Sequence, residues 1–393
     1  MHIAIIAGRG IEGAGVTRFM SEFEDYVNGY TPHSKVIVFS IQDKKPREKA
    51  QNIRAKIIKP SQLDNLVKFL NEEFDVVIYN SIPAKKGFTE EYKSDFLEKV
   101  VRGVTVPKKF SIQNDHKIHS LGRNANLFEI NAEMDGIFTF AKDTVFAKKL
   151  KENIPGVESK LMTFKNGMNF EVLEKFRKPI NERLKKITYL GRFATFKQPR
   201  LYDFNSYLKD RDFIVELEGI ERSIGAINFM FKDLENNKEY NGIRMIDCTN
   251  PKKSCYVPKE KQTPGLPYVY GPYNRFEALE SLSHSLFNCN FFNMKESFGD
   301  LLEYATLEGI AIGTIPVLDY DFGVKSGLID VENFGLFLKE DLSNAEEIAD
   351  RMEEIWNNLS LRQKYLDVSR DTAEWFCSQN AFGEMLEKIK EKL

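Results

Sequence analysis

The sequence predicts an α/β protein built from two doubly wound domains, and three observations carry that reading. Short unbroken apolar runs alternate with amphipathic stretches, as buried parallel strands and covering helices do. That alternation lapses at about residues 165–186 in the polar, charged stretch "KNGMNFEVLEKFRKPINERLKK" and then begins again. At 393 residues, with 42% hydrophobic content and 31 phenylalanines, the chain is long enough for two cores.

In the first half the apolar runs predict strands at His2–Ala7, Lys35–Ile41, Asp75–Tyr79, Lys109–Gln113 and Gly136–Thr139. Between them, apolar residues spaced at three and four predict helices over Gly15–Tyr26 and Ser61–Glu73. The second series opens with "ITYLGR" and continues with strands at Phe213–Leu217, Tyr268–Tyr270, Phe287–Phe292 and Ile315–Leu318. Its helices fit Arg275–Leu282 and Gly299–Gly309. From Ser343 onward the pattern is helical, with Trp356 and Trp375 as anchors and Ser343 and Glu346 as a capping box. These readings divide the chain into a domain of residues 1–178 and a second, 179–393, that carries the helical tail.

Composition narrows the function classes. No apolar run is long enough to cross a bilayer, and the N-terminus passes straight into a strand, so a cytoplasmic protein is expected. Cys248, Cys255, Cys289 and Cys377 lack metal-ligand spacing, so neither a metal site nor a disulfide is expected. The net charge is −2, yet residues 1–180 hold 29 Lys/Arg against 23 Asp/Glu, while the remainder holds 27 against 35. Such an imbalance suits a first domain that meets a polyanion, though solvated helix faces would give it too.

Three stretches carry chemistry. In "IAIIAGRGIEGAGVTRF" (3–19), Gly8, Gly10 and Gly13 spell G-x-G-x-x-G after a strand and before a helix, the setting in which backbone amides meet a phosphate. The acidic residue a dinucleotide site needs about twenty positions later is missing, since Asp43 comes too late. A loop that closes over a sugar or diphosphate remains open. In "YLGRFATFKQP" (189–199), Arg192 follows a strand and Lys197 lies five residues on, a pairing able to neutralise a diphosphate leaving group. In "NMKESFGDLLEYATLEGIAIGTIPVL" (293–318), an E-S-F-G turn leads to Glu303 and Glu308, then to Gly313-Thr314 and a buried strand. This order is similar to that of two-Rossmann nucleotide-sugar transferases.

The resemblance then becomes closer. "GRGIEGAGVTRF", "YNSIPA" (79–84), "QNDHKIHSLGRN" (113–124), "YLGRFATFK", "LEGIERS" (217–223) and "LEYATLEGIAIGTIPV" (302–317) occur in order. Together they resemble the T-even phage DNA α-glucosyltransferase family. That resemblance implies the GT-B fold, two Rossmann-like domains facing a central cleft, with C-terminal helices. It also implies a UDP-sugar donor, no metal, and retaining transfer to the hydroxymethyl group of 5-hydroxymethylcytosine in double-stranded DNA, in the cytoplasm of an infected host cell.

Site residues follow from the same resemblance. Asp115 corresponds to the acidic residue beside the acceptor, either accepting the hydroxymethyl proton or orienting the sugar, with Asn114 and His116 flanking it. Gly13, Gly15 and Val16 form the loop over the donor. Arg192 and Lys197 match the diphosphate contacts, Glu221, Arg222 and Ser223 the edge of the donor pocket, and Glu308 the ribose-binding glutamate. Glu303, five residues before Glu308, is left between a contact to the donor sugar and a structural role. Where the family has His-Asp-His this chain has Asn114-Asp115-His116, and Asn cannot titrate near neutral pH. Glucose is therefore the first choice of sugar and a pentose such as arabinose the second.

For DNA, the basic residues Lys108, Lys109, Lys117 and Arg123, with His119, are expected around the Asp115 loop, where phosphate contacts would hold the duplex without reading sequence. Reaching a cleft-bound sugar calls for flipping the base, and Phe110, His119 and Arg123 are candidates to fill the gap.

Overall fold

The structure, a computed structural model, describes residues 1–7, 15–41, 55–80, 94–112, 125–142, 144–191, 200–219, 239–240, 243–247, 268–271, 275–291 and 302–393. The chain forms two compact units, the first comprising Met1–Asn169 with Phe376–Leu393 and the second Phe170–Ser297 with Leu302–Trp375.

The first unit runs β1 (His2–Ala7), α1 (Gly15–Tyr30), β2 (Lys35–Ile41), β3 (Lys56–Ile58), α2 (Leu63–Glu73), β4 (Val76–Asn80), α3 (Ser94–Gly103), β5 (Lys108–Ile112), α4 (Ala125–Ala132), β6 (Gly136–Thr139), α5 (Val145–Asn153) and β7 (Leu161–Thr163). Its sheet has the order β3-β2-β1-β4-β5-β6-β7, and every pairing is parallel. The unbroken run Val76–Asn80 is buried at all five positions, as a central parallel strand requires.

The second unit runs α6 (Phe170–Glu174), β8 (Leu184–Gly191), α7 (Arg200–Leu208), β9 (Ile214–Gly219), β10 (Glu239–Tyr240), β11 (Ile243–Asp247), β12 (Tyr268–Gly271), α8 (Arg275–Ser283), β13 (Ser285–Asn290), α9 (Tyr304–Ala311), β14 (Ile315–Asp319), α10 (Tyr320–Ser326), β15 (Leu336–Leu338), α11 (Ala345–Asn357) and α12 (Leu359–Ala373). The strand order is β10-β11-β12-β9-β8-β13-β14-β15, parallel except for β10 against β11. One face of this sheet is apolar: Ile187, Tyr189, Val215, Phe287, Cys289 and Val317 pack with α7, α11 and α12.

Several expectations are corrected. The units divide after Asn169, not after 178, because Phe164 and Met168 are buried in the first unit whereas Phe170 and Leu173 open α6 of the second. The last helix, α13 (Ser378–Lys390), leaves the tail and belongs to the first unit. Phe382 packs its ring edge-on against Phe19 (5.5 Å) and Phe23 (5.2 Å) of α1, and Met168 bridges to Cys377. Helical periodicity shows that a helix forms there, but not which surface it returns to.

Trp375 is 65% exposed and so is no core anchor, while Trp356 is partly buried against the core under the Arg362 guanidinium, 4.4 Å from its ring. Ser343 does not cap α11: its N–H donates to Asp341, and Asn344 is the N-cap residue, its side chain bonded to Lys339 and Phe337 backbone groups.

Candidate active site

In both units the chemistry-bearing motifs leave the carboxyl edge of the sheet, where doubly wound folds bind ligands. In the first unit Ala7, Asn80 and Ile112 end β1, β4 and β5 in one register row. The segments that follow begin "GRGIEGAG", "SIPA" and "QNDHK", so three separate motifs set out from neighbouring strand ends, each about 5 Å from the next. The strand order reverses between β1 and β4, which opens the crevice of such a fold there. Two buried side chains join β5 to α4: Ser111 Oγ donates to Asn131 Oδ1 at 2.7 Å.

In the second unit β8 lies between β9 and β13, and Gly191 is the register partner of Gly219. Arg192 follows the first glycine directly, and Glu221, Arg222 and Ser223 begin two residues after the second. β13, on the other side of β8, ends at Asn290.

Helix α9 carries the side chains that the structure describes fully. It starts at Tyr304, later than the expected Gly299, with Glu303 as its N-cap residue in extended conformation (φ −68°, ψ 156°). Glu308 lies in the body of the helix and is 8% exposed. Four neighbours fix this helix. Asn288 Nδ2 donates to the Ala305 carbonyl (3.2 Å), and Asn290 Nδ2 donates to Glu303 Oε2 (3.1 Å) and Thr306 Oγ1 (3.2 Å). At the other end Arg370 Nη1 donates to the Ala311 carbonyl (3.4 Å), and the buried Arg183 guanidinium donates to the carbonyls of Ile312 and Ser285. Two cations at a helix C-terminus complement its dipole. Burial, with Arg177 beside it, pushes the Arg183 pKa down to about 9.

Two glycines set the geometry after Glu308. A Cβ on Gly309 would lie 2.7 Å from both Asn288 Nδ2 and Thr314 Oγ1, so only glycine lets the helix reach the sheet at this point. Gly313 takes φ +88°, a left-handed conformation that side chains disfavour, and it turns the chain into β14.

The other expected site residues divide into two groups. Gly13, Asn114, Asp115, His116, Lys117, His119, Arg123, Arg192, Lys197, Glu221, Arg222 and Ser223 lie outside the described residues. Gly15 and Val16 open α1. Lys108 and Lys109 begin β5, roughly 13 and 10 Å of extended strand from its carboxyl end. Their ammonium groups meet Asp135 (3.3 Å) and Glu133 (3.4 Å). Phe110 is corrected as a gap-filling residue: it is fully buried in β5 and packs against Phe138. Asn288, Asn290, Gly309 and Arg183 were not singled out by sequence reading, because their roles lie in which groups the fold brings against them. Among the described residues, no group of His, Cys, Asp or Glu could hold a metal ion, and no helix is long and apolar enough to cross a membrane.

A model of the DNA alpha-glucosyltransferase family matches residues 14–335, most of both units. The chain belongs to this DNA alpha-glucosyltransferase family. Among its relatives, the DNA alpha-glucosyltransferase of Enterobacteria phage T4 is 29% identical over 343 residues, covering 81% of this chain and 80% of that protein. An alpha-glucosyltransferase solved with UDP-glucose and DNA containing an abasic site superposes with a TM-score of 0.79 at 24% identity, over 99% of each chain. Anabaena HepE, solved with UDP-glucose, superposes at a TM-score of 0.62 and 10% identity, again over 99% of each chain. The fold shared with these transferases is the GT-B fold that the resemblance implied.

Proposed function

We propose that this DNA alpha-glucosyltransferase family member transfers glucose from UDP-glucose to the hydroxymethyl group of 5-hydroxymethylcytosine in double-stranded DNA, with retention at the anomeric carbon. The observation that carries this reading is the family match, which runs from residue 14 to 335 through both motif-bearing sheet edges. Support for the donor and acceptor comes from similar structures solved with UDP-glucose and an abasic-site DNA, and with UDP and a DNA containing an HMU base. The reaction belongs in the cytoplasm of an infected host cell.

In this reading Glu308 accepts the ribose hydroxyls and Glu303 meets the hydroxyls of the sugar. Arg192 and Lys197 neutralise the diphosphate, Gly13 with Gly15 and Val16 at the start of α1 covers it, and Glu221, Arg222 and Ser223 border the pocket. The hydroxymethyl oxygen attacks the anomeric carbon from the face the diphosphate leaves. The bond to the β-phosphate oxygen breaks, its electron pair departs with UDP, and the hydroxymethyl proton passes to Asp115 or to the leaving phosphate. Positive charge at the departing oxygens stabilises this step with no metal. Asn114 and His116 flank Asp115 as hydrogen-bonding partners of sugar and acceptor. The target base leaves the stack at a cost of about a few kcal/mol, with His119 and Arg123 near the gap and Lys117 on phosphate.

The test is mass spectrometry of 5-hydroxymethylcytosine DNA after incubation with UDP-glucose and, separately, with UDP-arabinose. A hexose adduct only with UDP-glucose, abolished in a folded Asp115→Ala variant, is the expected result. An adduct only with UDP-arabinose would replace glucose by a pentose. No adduct from either donor would sink the proposal.

A further inference from the structure

We infer that Asn290 is a positioning residue for Glu303, holding its carboxylate toward the donor sugar; this rests on the placement of Glu303 at that sugar proposed above. Asn290 is the last residue of β13 and is 2% exposed. Its amide nitrogen makes both of its bonds to one helix start, Glu303 Oε2 at 3.1 Å and Thr306 Oγ1 at 3.2 Å. The reversed amide would set a carbonyl oxygen against a carboxylate oxygen, so the neighbouring charge fixes the orientation.

Two further features separate this contact from ordinary packing. Glu303 stands at the N-cap of α9, where a side-chain oxygen normally accepts an N–H of its own helix, yet it makes no such capping bond. Its Oε2 turns to Asn290 instead, which fixes the direction of the other carboxylate oxygen. The Asn290 carbonyl oxygen, meanwhile, is buried with no partner among the described residues. Among the described residues, then, the bonds this amide makes all run to the start of α9, as expected when its function lies in the group it holds. Because Thr306 is held by the same nitrogen and lies two residues before Glu308, one side chain sets both glutamates relative to the strand end.

Steady-state glucosylation by Asn290→Ala, Glu303→Gln and the double variant tests this, with melting temperatures to confirm folding. Asn290→Ala is expected to lower kcat/KM for UDP-glucose about tenfold, a size typical of losing a hydrogen bond to a charged group, while KM for DNA stays unchanged. In the Glu303→Gln background it should add no further loss. Asn290→Asp places two carboxylates at one site, so they share a proton and activity should recover as pH falls. Equal losses in both backgrounds, or an Asn290→Asp pH profile parallel to the parent's, would overturn the inference. Loss in Glu303→Gln beside undiminished Asn290→Ala overturns it alone. Full activity in Glu303→Gln overturns the placement of Glu303 and the inference with it. Should Asn290→Ala fail to fold, the near-isosteric Asn290→Asp carries the test through its pH profile.

Discussion

Gly309 in α9 and Asn288 in β13 meet so closely that a methyl group on the glycine would lie 2.7 Å from the asparagine amide nitrogen. The same amide holds the Ala305 carbonyl one turn earlier, so Asn288 and Gly309 together seat the helix that carries Glu308. Gly309→Ala should therefore push α9 off the sheet. Overpacking of this kind costs about 1–3 kcal/mol in stability. Because catalysis tolerates little displacement, kcat/KM for UDP-glucose should fall by roughly 10–100-fold. A thermal melt and donor kinetics measure both, and a variant matching the parent in each would remove the seating role.

Glu308 tests the nucleotide end of the pocket. Glu308→Gln keeps the shape but loses the charge that strengthens hydrogen bonds to ribose hydroxyls, worth about 1.5–3 kcal/mol. The ribose is held equally in substrate and transition state, so the loss belongs in KM for the donor, with kcat little changed. Calorimetric titration with UDP should show the same weakening. An unchanged UDP affinity would exclude Glu308 from the ribose.

How far the sequence spoke depended on length and chemistry. β1, β2 and β6 could be read to the residue because each is an apolar run bounded by polar or turn residues. β3, β7 and β15 have three residues each and β10 two, too few for any period to register. β11 was missed as well, although it has five residues. Glu308 could be singled out through its motif, whereas Asn288 and Asn290 could not, since their meaning lies in what α9 brings against them. Phe110 misled in the other direction. An aromatic was expected to fill the gap left by a flipped base, but Phe110 shares the buried face of β5 with Ile112.

The lysines give a sharp comparison. Lys117 lies in the Asp115 segment, whereas Lys108 starts β5 at the opposite sheet edge and pairs with Asp135. Each phosphate contact contributes about one unit to the slope of log K against log salt. Lys117→Ala should reduce that slope by roughly one and Lys108→Ala should leave it unchanged. Binding of hydroxymethylated duplex at several salt concentrations decides, and the reverse pattern would reassign the DNA surface to the lower edge of the sheet.

The return of α13 to the first unit makes a stability prediction. Phe382 is fully buried among Phe19, Phe23 and Tyr26, and a Cβ on Gly167 would strike its ring at 2.7 Å. Phe382→Ala should cost about 3–5 kcal/mol, as large aromatic truncations in packed cores do. Urea unfolding would register it, and a loss well under 1 kcal/mol would mean that the helix is not docked there.

The last prediction concerns pH. His284, at the turn between α8 and β13, is part-buried with Nε2 3.4 Å from Glu280. Burial and then the charge of Lys186 hold its pKa below the ordinary value, with Lys178 acting in the same sense and Glu280 opposing them. In the unfolded chain His284 takes its proton near pH 6.5, above the pKa it has when folded. Between those two values the unfolded state binds more protons, so stability must fall as pH drops through that window. His284→Gln removes the titration and should flatten the decline just below about pH 6.5. The steeper loss deeper into the carboxylate range should remain, because Glu280, whose burial is outweighed by Lys178 and His284, has a lowered pKa of its own. Unfolding free energies of parent and variant across that window provide the measurement. Parallel curves would show that the imidazole does not contribute to acid sensitivity.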